Sequence, residues 1–273
     1  MAKNQEQTKK SKGFTGIKSS GLVILACFVI AELIYTFIFG DSSHFQGGNN
    51  ANEPITGDLM GTIYRGGIIV PIIQTLLLTV LALSIERFFA IKSAQGKGKL
   101  VKFVEDIKAN LSKGDLKAAT AACEKQQGSV ANVVSSAIIK YAEVEEDKTL
   151  SKEQQILAIQ KEVEEATALE LPMLSQNLPI IATITTLGTL MGLLGTVVGM
   201  IKSFAALSGG GGTDSVKLSA GISEALINTA FGILTGALAV IAYNYYTSKI
   251  DSITYSIDEV GFSIVQTFAA SHK

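Results

Sequence analysis

Four long runs of apolar residues constrain this chain more than any other feature. Residues 66–85, 171–201 and 225–248 contain no charged side chain at all. Residues 21–40 form a fourth run, with Glu32 as its one charged residue. A helix rises ~1.5 Å per residue, so about 20 residues cross ~30 Å of hydrocarbon. The pattern therefore predicts four transmembrane helices, and the low charged fraction of 17% agrees with it, because soluble domains carry roughly a quarter.

The distribution of basic residues predicts the orientation of these helices. Five lysines precede the first run, and Arg87 and four lysines follow the second, whereas Arg65 is the one Lys or Arg in residues 41–65. Short segments rich in Lys and Arg stay on the cytoplasmic side. We therefore expect both termini and the long central segment to be cytoplasmic. The first run lacks a small-residue cleavage site, so we expect no cleaved signal peptide.

The polar central segment and the C-terminal tail have helical periodicity. Ser151–Gln154, "SKEQ", fits a capping box that begins a helix running through Glu170, and Pro172 and Pro179 are expected to interrupt or kink that helix before the third span. Apolar positions on one face of the central segment are Leu100, Phe103, Val104, Ile107 and Leu111. Those spaced by three and four in the tail are Ile250, Ile253, Ile257, Val260 and Ile264.

The predicted fold class is an all-α integral membrane protein whose last two transmembrane helices extend into a cytoplasmic helical bundle. We expect the glycine-rich connection before the last span to be a short turn, which would make the last two spans antiparallel neighbours. In chain order, the expected segments are a cytoplasmic tail (1–20), transmembrane helix 1 (21–40), an outer loop (41–65), transmembrane helix 2 (66–87), a cytoplasmic helical domain (88–177), transmembrane helix 3 (178–207), an outer loop (208–219), transmembrane helix 4 (220–248) and a cytoplasmic C-terminal helix (249–273).

Small and polar residues in the last two spans are the candidate functional residues. Small residues let helices approach closely in hydrocarbon, where apolar contact alone gives no driving force. The candidate packing glycines are Gly188, Gly192, Gly195, Gly199, Gly232 and Gly236. Candidate pathway residues on the facing stripes are Thr185, Thr189, Thr196, Thr229, Thr235, Glu224 and Asn228. Two facing polar stripes suit the wall of a water-accessible pathway.

Simpler interpretations of the same residues stay open at this point. The glycines alone are compatible with plain helix packing, and a single membrane threonine usually donates to its own i−4 carbonyl. Glu224 lies near the outer end of its helix and fits an interfacial position. Glu32 is costly at the bilayer centre, by ~3 kcal/mol or more, unless it is protonated, paired or close enough to the outer interface to reach water.

Several kinds of chemistry are not expected. Cys27 and Cys123 are far apart in the sequence, and His44 and His272 are the chain's two histidines, so we expect no disulfide, metal, cofactor or catalytic site. No basic surface interleaved with aromatic residues indicates nucleic-acid binding.

Two stretches carry a resemblance to a known family. "GLLGTVVGM" (192–200), followed by "GISEALINTAFGILTGALAVIAYN" (221–244), resembles the ExbB/TolQ/MotA family of ion-channel subunits, which energise outer-membrane transport, envelope integrity or motility. "SIERFFAIK" and "KGDLKAATAACEKQQGSVANVV" are similar to the ExbB branch. The resemblance covers roughly residues 66–252.

The resemblance implies a homopentamer in the bacterial inner membrane, with the last two spans around a central pore. Inside it would lie a dimer of single-span ExbD/TolR-like partners, each with a membrane aspartate, and H⁺ would drive movement of one ring against the other. Thr196 and Thr229 correspond to the family's pore threonines, and Glu224 to its outer-end glutamate. Leu238 replaces a proline found in many relatives, and the span 21–40 has no counterpart in three-span members.

The implied function is coupling of ion flow to work on the envelope, most closely energised outer-membrane transport through a TonB-like protein. TolQ-like and MotA-like roles stay open, and threonines such as Thr183 and Thr186 supply further oxygens that suit Na⁺. From other classes, a secondary transporter would show repeated halves, which are not apparent, and a membrane scaffold would use the threonines only for packing. An intramembrane hydrolase lacks a Ser/His or paired-Asp arrangement.

Overall fold

The computed structural model describes residues 19–208 and 215–271, and these residues are almost entirely helical. One isolated antiparallel bridge joins Phe45 to Pro54, and the described residues contain no β-strand. The α-helices are α1 (Ser20–Leu33), α2 (Leu59–Tyr64), α3 (Ile69–Gln95), α4 (Leu100–Ser112), α5 (Leu116–Gln126), α6 (Gly128–Glu146), α7 (Lys152–Ser175), α8 (Leu178–Ser208) and α9 (Ser215–Ser271).

Four helical stretches within the described residues are long and apolar enough to cross a membrane. They are Ser20–Phe39, Ile69–Ser112, Lys152–Leu207 and Ser215–Ser271. All four predicted transmembrane helices are therefore present as helices, and the all-α membrane fold class is confirmed.

The first span ends in an unusual turn. A π-helical segment, Ile34–Phe39, continues α1 and ends at Gly40. Most apolar side chains of α1 are exposed on the subunit, including Leu22 and Leu25. Tyr35 anchors the end of this span, because its hydroxyl donates to the Tyr64 carbonyl at 2.9 Å and its ring stacks on that of Tyr64.

The second span begins later than the sequence predicted. Residues 65–68 form turns, and α3 begins at Ile69 instead of residue 66. Gly67 has a φ of 72°, a left-handed conformation that a glycine adopts without a steric penalty. This turn, rather than the start of the uncharged run, sets the beginning of the span.

A turn at Gln176 and Asn177 separates α7 from α8. Asn177 has a φ of 66°, so the helix cannot continue through it. The sequence predicted an interruption or kink at Pro172 and Pro179, and the break lies between the two. Pro172 is accommodated inside α7, and Pro179 lies in the first turn of α8, where a missing N–H costs little.

The last helix is longer than predicted. α9 runs without interruption over 57 residues from Ser215, so residues 215–219, expected in the outer loop 208–219, are helical, as is Leu238. Residues 209–214, which carry the glycine run of that loop, lie outside the described part of the chain.

The chain divides into two compact units. The bundle unit contains Glu86–Gln176 and the chain from Tyr246 onward, and the span unit contains Ile17–Ile85 and Asn177–Tyr245. In the bundle unit, the predicted apolar face of α4 is buried except for the half-buried Leu100. All five predicted seam residues of α9 are buried as well. The capping box at Ser151 is confirmed, since its hydroxyl and the Gln154 side chain each bond the other residue's backbone.

A buried ion pair lies near the end of α7 in the bundle unit. Arg87 is 0% exposed and donates from Nε to Glu86 at 2.6 Å. Its guanidinium also donates to the carbonyls of Met173 and Leu174, at 3.1 and 3.2 Å. These carbonyls belong to the last turn of α7, where no helical N–H follows to bond them. Arg87 therefore satisfies the C-terminal end of α7.

Residues 41–65 fold into a small cap on the span unit. Asp58 is the N-cap of α2, and its carboxylate accepts from the Gly61 N–H at 3.0 Å and contacts His44 Nδ1 at 2.9 Å. These bonds, first from Gly61 and then from His44, lower the pKa of Asp58. Arg65 donates to the carbonyls of Ala51 and Asn52, which ties the segment to the end of α2.

Candidate functional site

The α8–α9 seam is the closest approach of two helices around the predicted site. We define it by the six glycines named above, all of which are buried. A Cβ on Gly192 would lie 3.0 Å from Gly232 Cα, and one on Gly199 would lie 2.6 Å from the Gly221 carbonyl. Residues later in α8 contact residues earlier in α9, so the two helices are antiparallel neighbours, as predicted. The glycines let the two backbones touch directly.

Two threonine hydroxyls meet on this seam. Thr196 Oγ1 and Thr229 Oγ1 form a hydrogen bond between α8 and α9. Each hydroxyl is also within reach of a backbone carbonyl: Thr196 reaches Gly192 O at 3.2 Å, and Thr229 reaches Ala225 O at 3.1 Å. Both side chains are half-buried in the subunit. The structure thus brings together the two threonines that the resemblance singled out.

Further along the seam, the other predicted threonines differ in their burial. Thr185 and Thr189 are half-buried on α8, where Thr185 donates to Ala182 O at 2.6 Å and Thr189 to Thr185 O at 3.4 Å. Thr235 is 0% exposed and donates to Phe231 O at 2.8 Å. Its methyl group packs against Gly188, where a Cβ would lie 3.1 Å away.

Glu224 lies at the Gly199 end of the seam in an ion pair that the sequence analysis did not foresee. Its Oε1 is 2.6 Å from Lys202 Nζ. Glu224 is 7% exposed, and its carboxylate fits against Gly67, where a Cβ would lie 2.6 Å from Oε1. The Lys202 side chain is half exposed, so the buried carboxylate has its counter-ion on the exposed surface of the subunit.

Asn228 and Thr235 do not fit the predicted role of wall residues. Both are 0% exposed within a single subunit, so assembly of several subunits would not bring either side chain to a shared opening. Asn228 Nδ2 instead donates to the Gly66 carbonyl at 2.8 Å. The stripe that faces outward from the seam contains the half-buried Thr185, Thr189, Thr196 and Thr229.

The chemistry available at the threonine pair is that of uncharged hydroxyls. Each hydroxyl has one proton to donate and two lone pairs to accept with. In the pair one oxygen donates to the other, so one of the two keeps its proton available for a carbonyl such as Gly192 O. Such a pair exchanges donor and acceptor roles and offers oxygen lone pairs to a cation, but it supplies no titrating acid. The described residues contain no group of three or more His, Cys, Asp or Glu that could hold a metal ion.

Comparison with known proteins shows which family this site is similar to. Residues 129–259 match the MotA/TolQ/ExbB proton channel family, and this match contains α8 and the α9 part of the seam. Nearly half of the chain is thus similar to this family. The seam, the threonine pair and Glu224 all lie within the matched residues.

Individual MotA/TolQ/ExbB relatives match shorter stretches. An ExbB-like biopolymer transport protein of Synechocystis sp. is 36% identical over 88 residues, which is 32% of this chain and 42% of that protein. TolQ of the Tol-Pal system of Haemophilus influenzae is 37% identical over 84 residues (31% of this chain, 37% of TolQ). The biopolymer transport protein ExbB of Salmonella typhimurium is 32% identical over 85 residues (31% and 35%). The matched regions therefore span about two fifths of these relatives' length or less.

Parts of the site lie outside the family match. Glu32, the cap formed by residues 41–65 and the Gly66–Gly67 turn all precede residue 129. Sequence reasoning missed Lys202 and Gly66 as partners of Glu224 and Asn228. The one available signal was that Lys202 is the first charge after an uncharged run, 22 residues before Glu224.

Proposed function

We propose that this chain is the channel subunit of an ExbB–ExbD-like motor in the bacterial inner membrane. It couples the proton-motive force to mechanical work on the cell envelope, and energised outer-membrane transport through a TonB-like protein is the form of work we favour. The single observation that carries the proposal is the Thr196–Thr229 hydroxyl contact on a glycine seam, within the residues that match the family.

The proposed assembly is a homopentamer around a dimer of ExbD/TolR-like single-span partners. Each partner contributes a membrane aspartate that passes the threonine pairs. Because the hydroxyls do not titrate in the physiological range, we assign the proton carrier to this partner carboxylate. Both termini of the chain lie in the cytoplasm, as the positive-inside pattern predicts.

The energy available to such a machine is sufficient. One elementary charge crossing ~100 mV releases ~2.3 kcal/mol, several times the thermal energy. A few ions per step are therefore enough to drive rotation or sliding of one ring against the other. The hydroxyl oxygens of Thr185 and Thr189 leave Na⁺ as the alternative ion.

A TolQ-like role in envelope integrity is the second candidate, because a TolQ relative is as similar to the chain as the ExbB relatives are. The two roles share the ion pathway and differ in the outer domain of the partner. Identification of the single-span protein that co-purifies with the chain separates them.

The pathway is tested by removing one hydroxyl at a time. Thr196→Val and Thr229→Val keep the shape of the side chain and remove the oxygen. Loss of a hydrogen bond to a charged species costs ~1.5–3 kcal/mol, which corresponds to a roughly 10- to 100-fold lower rate. The chain and its co-purifying partner are reconstituted in vesicles, a K⁺ diffusion potential is imposed, and internal pH is recorded.

Thr254→Val is the matched control. Thr254 lies on the same helix but in the bundle unit, and its hydroxyl donates to Ile250 O at 3.1 Å. We expect proton uptake to fall at least tenfold in the two seam variants, with unchanged assembly mass, and to stay at the parent level in the control. Normal uptake in both seam variants would rule out the pathway, and failure of both to assemble would assign the hydroxyls to packing.

A further inference from the structure

Asn228 links three parts of the span unit at one point. It lies on α9, is 0% exposed, and donates from Nδ2 to the Gly66 carbonyl at 2.8 Å. The orientation of the amide is fixed by this bond, because a carbonyl oxygen accepts only from the N–H side. Gly66 belongs to the turn between α2 and α3, so the bond ties the last span to the beginning of the second.

The same side chain touches the third span. A Cβ on Gly195 would lie 2.6 Å from Asn228 Cγ and 2.8 Å from its Nδ2. Gly195 directly precedes Thr196, and Asn228 directly precedes Thr229. The contact that sets the distance between α8 and α9 is therefore adjacent, on both helices, to the hydroxyl pair.

Packing alone does not explain an amide at this position. Asn228 Oδ1 is buried and accepts no hydrogen bond from the described residues. A buried polar atom without a partner is unfavourable, and an apolar side chain of similar size would avoid that cost. What the amide supplies and leucine does not is the donated bond to the Gly66 turn.

We propose that Asn228 is a positioning residue that holds the Thr196–Thr229 pair in contact by fixing α9 to the Gly66 turn. Residues 41–65 lead directly into this turn, so the outer cap is mechanically coupled to the hydroxyl pair through one side-chain hydrogen bond. The consequence for ion flow rests on the proposed function, whereas the geometric coupling does not.

The coupling is measured by disulfide formation across the seam. Thr196→Cys and Thr229→Cys are combined with Cys27→Ala and Cys123→Ala in the full-length chain in lipid nanodiscs, and the rate of intramolecular cross-linking is followed by mass spectrometry. In this background, we expect Asn228→Leu to slow cross-linking at least tenfold. Asn132→Leu is the matched control, because Asn132 Nδ2 also donates a side-chain hydrogen bond, to Glu170 at 3.1 Å, but in the bundle unit. Asn132→Leu should leave the cross-linking rate within twofold of the parent rate.

An isosteric variant separates positioning from general loss of structure. Asn228→Asp keeps the shape, and its carboxyl donates to the Gly66 carbonyl only when protonated. Its cross-linking rate, divided by that of the Asn228 parent at the same pH, should rise to near one as pH is lowered from 9.5 to 5.5. Glu224, one turn earlier on α9, and its partner Lys202 are the charged groups nearest to this position, and both are present in the two chains. Asn228→Leu should show no such recovery.

Each outcome decides the proposal. Cross-linking of Asn228→Leu at the parent rate overturns it, as does a ratio for Asn228→Asp that does not change with pH. Slower cross-linking with proton uptake at the parent level overturns the link to ion flow and leaves the proposed function standing. If the Thr→Val variants retain full uptake, the proposed function fails, while the cross-linking result still supports or overturns the geometric coupling by itself.

Discussion

Gly232→Ala is the substitution whose effect follows most directly from the seam. A Cβ on Gly232 would lie 2.6 Å from Gly192 Cα and 2.7 Å from the Gly188 carbonyl oxygen. Carbon atoms pack best at ~3.5–4.0 Å, and backbone atoms cannot rotate away as a side chain can. The two helices must therefore separate by about 1 Å, which would pull Thr196 and Thr229 out of hydrogen-bonding contact.

Two opposing effects determine how much Gly232→Ala lowers the free energy of unfolding. Overpacking costs ~1–3 kcal/mol, and replacing a helical glycine by alanine returns up to about 1 kcal/mol. When the full 1 kcal/mol is returned, the net loss reaches about 2 kcal/mol, which corresponds to a roughly 30-fold larger unfolded fraction. Unfolding in detergent, followed by SDS titration, measures the difference.

Gly21→Ala is the matched control for this prediction, because a Cβ there meets no atom of the described residues within 4 Å, although Gly21 also lies in a membrane helix. Gly192→Ala should be intermediate, since its nearest contacts would be 3.0 Å away. If Gly232→Ala unfolds at the same SDS fraction as Gly21→Ala, the direct backbone contact between α8 and α9 is refuted.

Three further predictions concern groups outside the seam. Arg87→Met should destabilise the chain by ~3–5 kcal/mol because it removes the buried guanidinium that bonds the Glu86 carboxylate, and adding Glu86→Gln should recover part of that loss in the same SDS titration. Burial raises the pKa of the Cys123 thiol to about 12, so its alkylation at pH 8 should be roughly 10³-fold slower than that of a free cysteine until the bundle unit unfolds; equal rates in folded and unfolded protein would contradict this. Hydrogen bonds from Gly61 and His44 lower the pKa of Asp58, so ionised Asp58 stabilises the cap of residues 41–65 above the ordinary aspartate pKa, and this stabilisation is lost as pH falls through the lowered pKa. Pepsin cleavage of residues 41–58 should therefore increase as pH falls through that range. The increase should be smaller in Asp58→Asn, where this contribution is already absent.

The membrane fold was predictable because few backbone structures are stable in hydrocarbon. Uncharged runs of 20 or more residues leave a helix as the one structure that satisfies every backbone group. The limits of the helices were less predictable, since they depend on local conformations. The left-handed φ values of Gly67 and Asn177 set the beginning of α3 and the break before α8. Nothing in the sequence distinguishes these two residues from the other glycines and asparagines of the chain.

The seam was predictable from residue spacing along single helices, whereas the contacts around it were not. Helical spacing places Thr196 with Gly192 and Gly199, and Thr229 with Gly232, without any knowledge of a third element. The orientation of Asn228 depends on a turn 162 residues away in the sequence. Spacing along one helix contains no information about that partner, so a buried amide was interpreted as a pathway wall.

The most direct test of the account is an experimental map of the assembled complex, determined in lipid with its single-span partner bound. We expect Thr196 and Thr229 of every subunit to face one central cavity that contains the partner helices, with the partner carboxylate at the level of the hydroxyl pair. A map in which both threonines face lipid, with no cavity on the axis of the assembly, would contradict the account.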